Sequence, residues 1–467
     1  MNDSSSRQML LLIVLSMGML VLLSTVPWSD LTGNYIKDFN LFGDVFPQKK
    51  ATDNIAMTAI PSDPGIDGLE DFVDDVDDPV PGDDGDASAA TAIDSIIPAK
   101  ALAEAPTDGD IVLVESYLPD GSMFPKFRAA LDRSGSRAVR IAVLGDSYIE
   151  GDILSQDLRA LLQDRYGGSG VGFVPLHCDF PGFRSSVKMS DKGWKLHDVR
   201  TMKSSDSIRQ LSCDYAVAEE NAAATYRGTK KNAHTGSWEH SAFLFLAPDS
   251  AVVTLTTDAG TSDFAVSPSS GVQCLEIPGA TSMFGVSASS GVTALGVYLG
   301  TPAGVQLDCM SIRGNSGLPL RKINTGLSGQ IRRWFDYDLI ILEYGMNAVN
   351  AEELEYSAYG AGLTRVIKKL KGIYPDADIL VLGIGDRGVK EGTAVVSLPT
   401  CQAMVNAQRK AAADAGVHFW DMRAAMGGEG AAAEWRSKHW LNADYIHLNH
   451  DGGRELAGRL YKALTHD

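Results

Sequence analysis

The run Ala138-Val139-Arg140-Ile141-Ala142-Val143-Leu144 stops at Gly145-Asp146-Ser147, and these ten residues decide the fold. Aliphatic and β-branched side chains dominate the first seven, which predicts a strand. Leu154, Leu158, Leu161 and Leu162 then recur at helical spacing and mark one apolar face of a helix. The unit reads strand, loop, helix, with a serine exposed in the loop.

Outward from it, the same rhythm returns. Further apolar runs are Tyr337–Tyr344, ending at Gly345, then Asp378–Ile384 and Val417–Trp420. Amphipathic segments lie between and after them, at Tyr359–Leu370, Pro399–Ala415 and Gly452–Leu464. Continuous apolar strands alternating with helices predict an α/β domain whose parallel sheet is covered on both faces. Residues 178–310 break the pattern. They are rich in Ser, Thr, Val and Gly, with short strand-like pieces such as Ala242–Leu246, Ala251–Thr257, Val272–Ile277 and Ala294–Leu299. Turn residues punctuate them closely, which predicts an inserted β-sandwich. The α/β domain is then split into 111–177 and 311–467.

The N-terminal part has a different character. Met9 to Val26 is an uncharged apolar run behind Arg7, followed by Trp28. It is long enough to span a bilayer as a helix. Residues 1–28 are therefore a signal anchor or a signal peptide, and the absence of a small-residue cleavage pattern favours the uncleaved anchor. Residues 29–110 read as an acidic, low-complexity linker, since their composition cannot bury enough apolar surface to offset chain ordering. The formal net charge is −18, and 13 acidic residues with no Lys or Arg fall within residues 51–99. The rest of the chain is near neutral, which argues against nucleic acid as a partner. Five cysteines, with no CxxC pair and no Cys/His cluster, offer no zinc framework and no assignable disulfide.

In open parallel sheets, ligands bind beyond the carboxyl ends of the strands. Three polar groups fall there or just past them: Ser147, Asn347 in Gly345-Met346-Asn347, and the pair Asp444 and His447 before the closing helix. Ester hydrolysis needs a nucleophile, a base, a group that orients the base, and donors for the oxyanion. Ser147, His447 and Asp444 fill the first three roles. The backbone N–H of Ser147, a glycine N–H for which Gly314 is the candidate, and the Asn347 amide fill the fourth. Asp146 is read as a support that holds the nucleophile loop. Each residue has a plainer reading: Ser147 as a helix cap, and Trp194, Trp238 and Tyr226 as core rather than a sugar-stacking platform. Asp444-x-x-His447-x-x-His450 could also be a metal site, but further ligands at suitable spacing are lacking.

Gly-Asp-Ser after the first strand, a later Gly-x-Asn and a C-terminal Asp-x-x-His resemble the SGNH (GDSL-type) hydrolases. The resemblance implies a flavodoxin-like three-layer fold and the roles given above for Ser147, Asp444, His447, Gly314 and Asn347, with no metal or organic cofactor. A narrower resemblance is to bacterial peptidoglycan O-acetylesterases of this type, which carry a carbohydrate-binding-module-like β insertion. It rests on that insertion, on Gly167-Gly168-Ser169-Gly170-Val171-Gly172-Phe173, on Tyr337–Asn347 and on Ala425-Met426-Gly427-Gly428 ahead of Trp435. Ala348 departs from the acidic residue often found after the asparagine. The expectation is a serine esterase of the bacterial cell envelope, exported, anchored in the inner membrane by residues 8–27, and acting on an acetylated polysaccharide such as peptidoglycan. An O-acetyltransferase with the same triad, a lipid esterase and a non-catalytic carbohydrate-binding protein stand as alternatives.

Overall fold

Six strands line up in the order Gly304–Ser311, Ala138–Gly145, Leu339–Glu343, Asp378–Leu382, His418–Trp420 and Glu115–Ser116. The first five are parallel, and only Glu115–Ser116 runs antiparallel, against His418–Trp420. This computed structural model describes residues 104–203 and 205–466. The expected anchor and nearly all of the acidic linker lie outside the described residues. Among the described residues no helix is long and apolar enough to cross a membrane.

Side-chain alternation along the strands explains the layers. Ala142, Leu144, Ile340, Leu342, Ile379, Val381 and Phe419 point to one apolar cluster, built with the helices Thr325–Ile331, Ser357–Ile373 and Thr400–Ala415. Val139, Ile141, Val143, Leu339, Ile341, Leu380, Leu382 and Trp420 point to the other. That face packs on Pro125–Leu131, Ser155–Tyr166 and His450–Thr465. Both faces of each strand are therefore buried, which is why the sequence shows continuous apolar runs rather than strict alternation. In chain order the five parallel strands stand 2-1-3-4-5, the flavodoxin-like order.

The connection between the first and second of these parallel strands holds most of a second structure. Nine antiparallel strands form one hydrogen-bonded sheet system. Its longest strand, Asp214–Gly228, pairs with Val187–Asp198 on one side. On the other side it divides, meeting Thr293–Gly300 near its start and Met283–Ala288 near its end. Its core contains Trp194, Tyr226, Trp238, Phe243, Phe245 and Phe284, all buried. The three aromatics considered as a sugar platform are thus core residues.

Strand pairing also crosses the boundaries expected from composition. Gly172–Val174, expected in the α/β part, pairs with Thr293–Gly300. Gly304–Ser311, assigned almost wholly to the insertion, joins the parallel sheet beside Ala138–Gly145. Short apolar runs carry no mark of which sheet they will join. The glycine-rich run explains itself by close approach: a Cβ on Gly170 would lie 2.3 Å from the Leu299 carbonyl oxygen, and Gly170 has φ +89°. All five cysteines are free thiols.

Candidate active site

Strand order reverses between Ala138–Gly145 and its two neighbours, so a crevice opens at their carboxyl ends. The register sets Gly145 opposite Ser311 on one side and Glu343 on the other. No side chain fits at that point: a Cβ on Gly145 would lie 2.7 Å from Ile149 Cδ1 and 2.8 Å from Glu343 Oε2. The chain then turns out of the sheet, leaving Ser147 partly exposed. The following α-helix begins only at Ser155, with Leu154 at its N-cap position, so Ser147 does not cap it.

His447 reaches Ser147 from the far end of the chain. Its Nε2 lies 2.9 Å from Ser147 Oγ, and its Nδ1 lies 2.8 Å from Asp444 Oδ2. The Asp-x-x-His turn is tightly built. Asp444 Oδ1 accepts the backbone N–H groups of Ile446 and His447, at 2.9 and 3.0 Å. The N–H of Asn442 donates to the His447 carbonyl at 2.8 Å, and Tyr445 takes a left-handed φ of 62°. Partial burial pushes the Asp444 carboxyl up, but its bond from His447 and the two N–H donors outweigh this and hold it below the usual carboxylate range. A carboxylate at Nδ1 leaves Nε2 as the acceptor for the serine proton. His450 belongs to a different setting: it opens the last helix, and its Nδ1 meets Gln156 Nε2 at 3.1 Å.

Asn347 follows the third strand in the turn Met346–Ala348. Its amide donates to Asp146 Oδ2 at 2.7 Å and, over 3.3 Å, to the Asn315 carbonyl. Asp146 Oδ1 accepts the Tyr148 N–H at 2.9 Å. Asp146 thus ties the loop that carries Ser147 to Asn347. Gly314 has φ +80° in the loop after Gly304–Ser311, and that loop is joined to the nucleophile strand by the Ile312 N–H on the Gly145 carbonyl at 3.1 Å.

Two contributors were missed by sequence reasoning. Glu343 is buried directly behind the loop, with the Asp146 N–H on its carboxyl and Oε2 without a hydrogen-bond partner. Burial, reinforced by the charge of Asp146, raises its pKa well above the usual carboxylate range. Burial also pushes Asp146 up, to about 7, against its hydrogen bonds and the nearby His447. A lone acid closing the run Leu339-Ile340-Ile341-Leu342 was the available signal. The second is Gln408, buried on the helix Thr400–Ala415. Its amide donates to the Tyr344 carbonyl at 2.7 Å and accepts the Ile384 N–H at 2.9 Å, fixing the ends of two adjacent strands. Nothing in a helical glutamine announces that role.

Behind the loop lies a buried ion pair. Asp152 accepts from both terminal nitrogens of Arg159, at 2.8 and 2.7 Å, and from the hydroxyls of Ser155 and Ser186 at 2.6 Å each. Arg184, which also bonds the Phe173 and Val171 carbonyls, comes within 3.4 Å of it. Burial opposes the charge on Asp152, but the two arginines hold it well below the normal range.

The family of GDSL-like lipases and acylhydrolases matches residues 284–454, a stretch that contains Asn347, Asp444 and His447. Together with the 2-1-3-4-5 sheet, this match supports an SGNH-type hydrolase fold for this part of the chain. Gly145-Asp146-Ser147 precedes the matched stretch, and the fold brings it to His447 and Asn347. Among solved structures, a peptidoglycan O-acetylesterase superposes with a TM-score of 0.62 at 21% identity, covering 75% of this chain and 97% of the other. That likeness shows the fold alone.

Two carbohydrate esterases of family two align far more loosely. The enzyme from Cellvibrio japonicus has a TM-score of 0.25 at 10% identity, over 60% of this chain and 98% of its own. The enzyme from Corynascus thermopiles, which has a carbohydrate-binding domain, has a TM-score of 0.26 at 13% identity, over 52% and 93%. These scores are too low to carry an argument. No curated protein matches the chain.

Proposed function

We propose that the protein is a serine esterase that removes O-acetyl groups from a cell-envelope polysaccharide, with peptidoglycan the leading substrate. The observation that carries the reading is the relay from Ser147 to His447 to Asp444, at 2.9 and 2.8 Å, beside the Asn347 amide. In this mechanism Ser147 Oγ attacks the acetyl carbonyl carbon while His447 Nε2 takes its proton. The tetrahedral oxyanion is held by the N–H groups of Ser147 and Gly314 and by the Asn347 amide. The 3.3 Å bond from Asn347 to Asn315 is the one the oxyanion displaces. Collapse breaks the bond to the sugar oxygen, which receives the proton from His447, and leaves acetyl-Ser147. Water, deprotonated by His447, then releases acetate and restores the serine.

The same reading takes the β-rich segment as an inserted sandwich of carbohydrate-binding type. It takes residues 8–27 as an inner-membrane anchor and the catalytic part as exported. Acetate release from O-acetylated peptidoglycan tests the reaction, with p-nitrophenyl acetate in parallel and Ser147→Ala as control. Release by the wild type and none by the variant supports it. Hydrolysis of the small ester alone moves the search to another acetylated polymer or to acetyl transfer. A folded protein inactive on both leaves carbohydrate binding as the function.

A further inference from the structure

The turn Phe180-Pro181-Gly182-Phe183 presents two phenylalanine rings to solvent, 58% and 40% exposed. Among the described residues only Val252 and Leu354 are comparably exposed large apolar side chains, and those stand singly. The turn is closed by the Phe183 N–H on the Phe180 carbonyl at 3.0 Å, with proline at its second position and glycine at its third.

Both flanks are pinned. Before it, His177 pairs with Asp191 at 2.7 Å, and Asp179 lies 3.3 Å from His177 and 3.7 Å from Arg200. After it, Arg184 is fixed by the Val171 and Phe173 carbonyls. The rings are therefore held out by design of the turn rather than carried on a loose tip.

They stand beside the nucleophile loop. Phe183 packs on Gly151, four residues after Ser147, so closely that a Cβ there would lie 2.6 Å from its ring. Arg313, the residue before Gly314, sets its guanidinium 5.9 Å from the Phe180 ring centre and pairs with Glu150. Phe180, Gly182, Phe183 and Arg313 line an open groove of about 630 Å³, within the size range of small-ligand sites.

Resting on the function proposed above, we propose that Phe180 and Phe183, with Arg313 and Glu150 at the rim, form a saccharide subsite that seats a pyranose ring of the polymer next to the scissile ester. An exposed aromatic face stacks on the C–H face of a sugar, and the neutralised Arg–Glu pair offers donors and acceptors to its hydroxyls. An acyl chain would call for an enclosed aliphatic channel. This groove is open and rimmed by charge.

The test uses the full-length protein and the variants Phe180→Ala/Phe183→Ala and Phe180→Tyr/Phe183→Tyr. The alanine pair is expected to leave p-nitrophenyl acetate hydrolysis within twofold of wild type. It should raise KM for O-acetylated muropeptide glycan fragments at least tenfold, and the tyrosine pair should restore it. In Ser147→Ala, binding of the glycan fragments measured by calorimetry should vanish when the alanine pair is added. An unchanged KM on glycan, or equal loss on both substrates, overturns the subsite. Selective loss of p-nitrophenyl octanoate hydrolysis overturns it in favour of an acyl groove. Persistence of p-nitrophenyl acetate hydrolysis in Ser147→Ala would instead sink the parent mechanism, a result separable from the others.

Discussion

Asn347 and Asp146 are joined by a 2.7 Å hydrogen bond that spans the seam where strand order reverses. The donor sits after the third parallel strand and the acceptor after the first, so the bond fixes the two sides of the proposed oxyanion site relative to each other. Asp146→Asn would set an amide N–H₂ against one of the two donors the carboxylate now serves, the Asn347 amide or the Tyr148 N–H. The expected result is roughly a tenfold loss in kcat, about 1.4 kcal/mol, at unchanged KM for p-nitrophenyl acetate. Asn347→Ala should cost more, about 10²–10³ in kcat, as for an oxyanion donor. Equal kcat in wild type and Asp146→Asn would refute the positioning role.

Asp444 holds His447 through Nδ1 at 2.8 Å. Asp444→Asn keeps the shape of the turn but presents the wrong partner to the imidazole. Its kcat should drop by about 10⁴, with circular dichroism unchanged. A loss below tenfold would mean that another group orients the ring.

The buried pair of Asp152 and Arg159 is strongly destabilised if one partner goes. Asp152→Ala leaves Arg159 charged and unpaired in the interior, and should lower unfolding free energy by about 3–5 kcal/mol. Replacing both, as Asp152→Leu with Arg159→Met, should recover much of that. A denaturant titration decides, and a single variant as stable as wild type would contradict the assignment.

Stability near neutral pH should fall as pH rises. Asp146 and Asp214 are each pushed up by burial to about 7, and burial raises Glu343 well above its usual value. The folded state therefore keeps protons that the unfolded chain releases near pH 4. The stability from these groups is complete below about 4 and is lost as pH climbs through about 7. His240 and His418, both lowered chiefly by burial, act oppositely only below about 6.5. Melting temperature should thus be lower at about pH 8 than at about pH 6.5, and Asp214→Asn should flatten the difference. A melting temperature that rises across this interval would show the carboxyls to be ionised in the fold.

The strands of the α/β layer were legible because each is buried on both faces and so reads as an unbroken apolar run. Ser147, Asp444 and His447 were legible because their chemistry is local: a serine after a strand, an acid three residues before a histidine. Asn347 was legible as a candidate, but its bond to Asp146 was not, since it joins residues 201 apart. Gly172–Val174 and Gly304–Ser311 were misplaced because sheet membership depends on partners far along the chain. Trp194 and Trp238 left two readings open, because an indole suits a core as well as a surface, and burial decided for the core.

The position of Ala138–Gly145 between two strands of much later sequence has a consequence for synthesis. When Gly145 leaves the ribosome, neither hydrogen-bonding partner of this apolar strand yet exists, and the nearer one starts at Gly304. At about 5–20 residues per second, the wait is roughly 10–30 s. Throughout that interval this apolar strand has two open edges, the kind of exposure that favours pairing with other chains. The nascent chain therefore carries an unpaired apolar strand while its β-rich segment is being made, and keeping Ala138–Gly145 apart from other chains during that time protects the folding of the whole sheet.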